Sequence, residues 1–242
     1  MQVLVIPDIH LKPYMFRIAE ELLEKGCAGQ TVCLMDIPDD WGKEYNIELY
    51  AETFDAAITF AKKYPDTLWV YGNHDLSYIW NERESGYSVM AAWTVRKKLL
   101  ELKRALPEGN EMKYIHIIDN VLFCHGGVMD YFVENIVPPD LYHNAEQAID
   151  FINGLDHDSM WNDMSPVWYR PQYSKRKLYK SDEILQVVGH TPVEHIFRSG
   201  NIISCDVFST YRNGEPIGTQ EFLVIDTKTW RFHTYRSKDV SR

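Results

Sequence analysis

The stretch Gln2–His10, QVLVIPDIH, sets the frame for the rest of the chain. Gln2 to Ile6 is a short, almost continuous apolar run, which reads as a buried strand. Pro7 ends it, and Asp8-Ile9-His10 follows directly. Working outward, residues 14–25 (YMFRIAEELLEK) show helical spacing and stop at Gly26, a residue suited to a C-cap. Thr31–Met35 reads as a second buried strand, and residues 46–64 form a long helical pattern that stops before Pro65. Thr67–Tyr71 (TLWVY) is a third strand. Strand, helix, strand, helix, strand predicts an α/β sheet with crossover connections.

Further along, residues 88–104 have helical spacing again. Met112–Ile118 and Asn120–Phe123 form a predicted hairpin around Asp119-Asn120. Residues 130–183 differ in character: they are polar, aromatic and irregular, with Pro138, Pro139, Pro166 and Pro171, and with short helices expected near 144–152 and 181–185. Strands are then expected at Leu185–Val188, His195–Arg198, Ile202–Ser204, Glu221–Ile225 and Trp230–Tyr235. This pattern describes one domain over 1–242 with a central β core, helices outside, and 130–183 as an insertion over one edge. Long irregular segments in compact domains often serve as lids or binding loops.

Composition narrows the functional classes. Apolar residues make up 45% and charged residues 25%, ordinary values for a globular chain able to bury a core without disulfide help. The formal charge of −10, from 35 acidic and 25 basic residues, opposes non-specific binding to a phosphate polymer, which needs Lys and Arg to replace counterions. Cation-binding carboxylates remain compatible with a phosphorylated substrate, because bound ions invert the local charge. Cys27, Cys33, Cys124 and Cys205 have no C-x-x-C spacing, which argues against a zinc finger or disulfide scaffold and fits a reducing compartment. The opening VLVI run is too short for a signal peptide, and no stretch approaches the roughly 20 apolar residues of a membrane span. A cytoplasmic chain is the expectation.

Chemistry gathers where the strands end, the place where open α/β sheets build their sites. Asp8 and His10, two residues apart, can turn to one side and converge on a cation. Asp36 follows the second strand, with Asp39, Asp40 and Gly42 close behind, although an acidic turn alone would also use these residues. Gly72-Asn73-His74-Asp75 follows the third strand: the glycine permits a tight turn, and three side chains offer oxygen or nitrogen. His125-Gly126-Gly127 and Gly189-His190-Thr191-Pro192 close two later strands. Taken together, this oxygen and nitrogen set without thiolates suits Mn, Fe or Zn. Two such cations about 3.5–4 Å apart can clamp the attacking and leaving oxygens of a displacement at phosphorus.

The order D-x-H, Asp36 with Asp39, G-N-H-D, H-G-G and G-H-T resembles the calcineurin-like metallophosphoesterase superfamily from Asp8 to about Asp206, and within it the serine/threonine phosphoprotein phosphatases with their bacterial and phage relatives. The resemblance implies a four-layer α/β/β/α sandwich. It implies two divalent ions, manganese first, with Asp8 and His10 on one, Asp36 bridging, and Asn73, His125 and His190 completing the other. The implied nucleophile is a hydroxide bridging the metals. His74 would protonate the leaving oxygen, oriented by Asp39, while Asp75 and Asp206 would stand just outside the ligands.

One departure matters. The second motif reads MDIPDDWG, so Asp40 stands where the phosphatases usually have an Arg that grips phosphate. A carboxylate there repels a phosphomonoester dianion unless it turns away. Arg170, in PVWYRP, is the candidate replacement, with Lys175, Arg176 and Lys177 and the tyrosines 169, 173 and 179 nearby. Trp161 and Trp168 read as packing the insertion onto the core. The leading expectation is hydrolysis of a phosphomonoester, on a phosphoprotein or a small phosphorylated molecule. A phosphodiester or nucleoside polyphosphate such as diadenosine tetraphosphate is the rival substrate, and a catalytically weak phospho-ligand-binding protein is the rival class.

Overall fold

The computed structural model describes residues 1–236, so the end of the expected 1–242 domain lies outside the described residues. The opening run forms β1 (Gln2–Ile6), α1 (Tyr14–Glu24), β2 (Gln30–Cys33), α2 (Ile47–Lys63) and a short β3 (Leu68–Trp69), in the predicted alternation. The chain continues through α3 (Asn73–Trp80), α4 (Ala92–Ala105), β4 (Ile115–Ile118), β5 (Val121–Cys124), α5 (Asp130–Ile136), α6 (Ala145–Asn153) and α7 (His157–Met160). After a 3-10 turn at Pro171–Tyr173 come β6 (Leu185–Val188), β7 (Phe197–Ser199), β8 (Ile202–Ser204), β9 (Glu221–Asp226) and β10 (Phe232–Arg236).

These strands form two mixed sheets, ordered β10-β9-β1-β2-β3 and β4-β5-β6-β8-β7. β1, β2 and β3 run parallel, and so do β5, β6 and β8, as crossover connections require. Period-two alternation assigns the faces of the second sheet. Val121, Phe123, Leu185 and Val187 point into one core with β1, β2, α1, α2 and α4, whereas Leu122, Cys124 and Val188 point the other way, onto α5 and α6. Helices, sheet, sheet and helices therefore stack as four layers. α1 contributes Met15, Phe16, Ile18, Ala19 and Leu22, one face of a helix at 3.6 residues per turn.

Several expectations change. Gly72-Asn73-His74-Asp75, expected only as a tight segment after the third strand, opens α3: Gly72 N–H donates to Asp75 Oδ2 at 2.9 Å, the reach-back of a capping box. The third strand shrinks to two residues, because Val70 pairs across to Lys113 in an isolated bridge. The segment 130–183 is more helical than expected, with α5 and α7 added. The helix expected near 181–185 is a turn, in which Lys180 O accepts from both Glu183 N and Ile184 N. The strand expected from Trp230 starts at Phe232, since Trp230 takes a left-handed φ of 58° in the turn before it. Among the described residues, no helix is long and apolar enough to cross a membrane.

Candidate metal centre

Because the strands within each sheet run parallel where it matters, their C-terminal ends deliver side chains to one place. The first sheet supplies Asp8 and His10 after β1, Asp36 and Asp39 after β2, and Asn73 and His74 after β3. The second supplies His125 after β5, His190 after β6 and Asp206 after β8. Backbone pairing continues past the first strands: Ile9, His10 and Leu11 N–H donate to the carbonyls of Met35, Asp36 and Ile37 at 2.9–3.0 Å. His10, Met35, Asp36, Asp39 and His190 all adopt φ between 42° and 67°, a strained region for residues with a Cβ. Such strain persists only where surrounding bonds enforce it, as here. Two glycines are required by close approach. A Cβ on Gly72 would lie 2.2 Å from Asp36 Oδ1, and one on Gly189 would lie 1.9 Å from Asp8 Oδ1.

All six expected ligands meet. His10 Nε2 lies 3.5 Å from Asp36 Oδ2, and His125 lies 3.7 Å from Asp8 and 3.6 Å from Asp36. His125 Nε2 is 2.9 Å from Asn73 Oδ1, and the His125 and His190 rings are 4.9 Å apart. Across the two sheets, His190 N–H donates to Asp8 Oδ2 at 2.7 Å. Among the described residues, Asp8, His10 and Asp36 offer ligand atoms that all lie within 4.8 Å of one another.

The donor set fits divalent cations on two counts. Asp8 Oδ1, His125 Nδ1 and His190 Nε2 are buried without any hydrogen-bond partner. Each orphaned atom of this kind costs about 1–3 kcal/mol unless a ligand takes it up. The electrostatics agree. Burial, then the charges of Asp206 and Asp36, pushes the Asp8 carboxyl well up, and burial pushes Asp36 up to about 6, a cost that a cation among these carboxylates would relieve. Burial holds His125 and His190 well below the usual range and His10 down to about 3, which leaves their nitrogen lone pairs available for a metal.

His74 behaves differently. Its Nδ1 sits 2.9 Å from Asp39 Oδ2, and its backbone N–H donates to Asp36 Oδ1 at 2.9 Å. Burial pulls its pKa down, but the Asp36 charge and the bond to Asp39 outweigh it and raise it to about 9. Asp39 is held in turn by the hydroxyls of Tyr50, at 2.8 Å, and Tyr78. Asp75 accepts backbone N–H bonds from Asp36, Ile37 and Gly72 at 2.8–3.2 Å, locking the second and third motifs together. Asp206 accepts from the N–H and hydroxyl of Ser209.

His10, Asp36, Asp39, Asn73, His74, His190 and Asp206 line a cavity of about 230 Å³, with Arg170, Asp40, Trp41, Glu84 and Trp168 on its walls. Arg170 Nη1 donates to the His190 carbonyl at 2.6 Å and to Thr191 Oγ1 at 3.3 Å, so its guanidinium is fixed at the cavity wall. Asp40 is compensated: it pairs with Lys12 Nζ at 3.0 Å and accepts from the Thr210 hydroxyl. Lys12 also donates to the His10 carbonyl at 2.9 Å. The basic run sits elsewhere, with Lys177 on Asp130 and Arg176 over Tyr131. Tyr179 is buried, its hydroxyl donating to the Tyr142 carbonyl, and Tyr173 is exposed.

Sequence reading missed Lys12, Tyr50 and Tyr78. No spacing rule links them to Asp40 or Asp39.

A family model described as calcineurin-like phosphoesterase matches residues 1–214. A cold-active protein-tyrosine phosphatase of a psychrophile, Shewanella sp., shares the fold at TM-score 0.61 and 18% identity, over 99% of this chain and 78% of that one. A second structure of a cold-active protein tyrosine phosphatase aligns at TM-score 0.54 and 16% identity, over 99% and 80%. No curated protein matches the chain in sequence. With the match covering residues 1–214, most of the chain, the protein belongs to the calcineurin-like phosphoesterase family of hydrolases.

Proposed function

We propose that this protein hydrolyses a phosphomonoester, carried by a phosphoprotein or a small phosphorylated molecule, with two divalent cations held by Asp8, His10, Asp36, Asn73, His125 and His190. Manganese is the first choice, with iron or zinc as alternatives. The observation that carries this reading is the trio of buried, unpartnered ligand atoms on Asp8, His125 and His190, drawn from both sheets. When bound, the cations supply Lewis-acid polarisation of the phosphoryl group and activation of water.

The remaining roles belong to the chain. Arg170, fixed by the His190 carbonyl, presents its guanidinium to a phosphate oxygen. His74, protonated and aimed by Asp39, donates the proton that the departing oxygen needs. Asp36 fixes the His74 backbone, so the proton donor and the metal ligands share one frame. The pairing of Asp40 with Lys12 supports a monoester, because it removes the uncompensated charge that would repel a dianion. The four free cysteines, three of them buried, support a reducing, cytoplasmic setting.

The test is hydrolysis of p-nitrophenyl phosphate and of its bis ester, after chelation and with Mn²⁺ restored. Metal-dependent turnover that favours the monoester is expected. Faster hydrolysis of the bis ester would transfer the reading to phosphodiesters, and turnover that survives chelation would remove the metals from it.

A further inference from the structure

Three tryptophans form a continuous edge-to-face series from α3 to the cavity. Trp80 and Trp161 have ring centroids 5.8 Å apart at 88°, and Trp161 and Trp168 are 5.0 Å apart at 89°. Trp168 then meets the His190 imidazole at 5.6 Å and 89°. At the far end, His157 braces the series: it meets Trp80 edge-on at 5.2 Å, stacks on Trp161 at 6.2 Å, and lies 3.2 Å from Glu82 just beyond α3. The three tryptophans and His157 are only partly buried, so the series is not simply the filling of a dry core.

What the series connects gives it meaning. Trp80 is the last residue of α3, the helix whose first residues are Asn73 and His74. At 1.5 Å per residue this helix spans only about 10 Å, too short to flex, so the place of Trp80 and the place of His74 are set together. His190 belongs to the other sheet. The segment that carries Trp168 is itself clamped beside His125: Gly126 N–H donates to Pro166 O at 2.7 Å, and a Cβ on Gly126 would lie 2.7 Å from Tyr169 O. The aromatic series therefore joins ligands contributed by the two sheets, through a segment that belongs to neither.

We propose that Trp161, between Trp80 and Trp168, is a positioning residue that sets the orientation of the His190 imidazole relative to Asn73 and His74. Perpendicular rings attract through the positive edge of one and the negative face of the other, so ring direction is specified and not merely volume. Outer partners that orient a ligating histidine commonly control metal affinity, and here the partner is the Trp168 ring, perpendicular to His190. The inference rests on the ligand set proposed above.

The experiment compares Trp161→Phe, which keeps a ring, with Trp161→Leu, which keeps apolar bulk without one. Three quantities are read: the imidazole NMR signals of His190 in the chelated protein, the affinity for Mn²⁺ by calorimetric titration, and kcat and KM on p-nitrophenyl phosphate. Trp161→Leu should shift the His190 signals, weaken Mn²⁺ binding about tenfold and lower kcat with KM unchanged, while Trp161→Phe stays close to the parent. Equal behaviour of the two variants, or a lowered Tm with His190 signals and affinity unmoved, would overturn the proposal. If the parent itself bound no Mn²⁺, the ligand set would fall, and the His190 signals of the chelated variants would still decide the role of Trp161.

Discussion

The loops at the strand ends and the segment 130–183 both line the cavity, yet different forces hold them. The strand-end loops are fastened by charge-assisted bonds from backbone N–H groups to buried carboxylates, as in Asp75 with Asp36, Ile37 and Gly72, and Asp8 with His190. Glycine stands wherever a Cβ would strike one of those carboxylates. The insertion is fastened by aromatic edges, by the apolar faces of α5 and α6, and by surface ion pairs such as Lys177 with Asp130. The first arrangement tolerates almost no change in atoms. The second should tolerate much, except where it touches His190.

Breaking the first region at His74, the proposed proton donor, should have the largest effect. His74→Asn keeps a polar side chain beside Asp39 but cannot carry the proton, so kcat should fall roughly 100- to 10,000-fold with Mn²⁺ binding retained. Unchanged turnover in a steady-state assay would remove His74 from that role. Next comes the ion pair beneath the cavity. Lys12 and Asp40 have side chains only 9% and 12% exposed. Lys12→Met would strand the Asp40 charge and should cost about 3–5 kcal/mol in denaturant unfolding. The double variant with Asp40→Asn should recover most of that stability; if it does not, charge stranding is the wrong account.

Gly189→Ala tests the close approach directly. A methyl group placed 1.9 Å from Asp8 Oδ1 has nowhere to go, so Asp8 or the loop must move. Overpacking of this kind costs about 1–3 kcal/mol, and Mn²⁺ affinity should drop with it. An unaltered titration would show that the loop yields without cost. The smallest effect belongs to the insertion's solvent face. Arg176 lies over Tyr131 with 5.5 Å to the ring centroid. Arg176→Ala should cost no more than about 1 kcal/mol and leave kcat unchanged. A large loss of activity there would mean that the basic run meets substrate after all.

The contrast also explains what could be read early. Asp8 with His10, and Asn73 with His74, are neighbours in sequence at strand ends, so their convergence needs only local geometry. The helical start at Asn73 has only a weak signal in sequence, the Gly72–Asp75 spacing that caps α3, beside a glycine that also permits a tight turn. Within 130–183, α6 lies where a short helix is expected, near 144–152, whereas α5 and α7 carry little signal. α5, for example, buries only Asp130, Phe132 and Val133, too few positions to show a clear period.

From the sequence alone came the order of strands and helices and the polar clusters that follow the strands, because each depends on residues a few positions apart. Tertiary structure decided which strands share a sheet, including β9 beside β1 across more than two hundred residues. It decided that Lys12 cancels Asp40 and that Tyr50 and Tyr78 hold Asp39. It also decided that Trp168 lies against His190. Those pairings have no period or spacing to betray them: each joins distant parts of the chain, and the packing of two sheets and their helices is what brings the partners within reach.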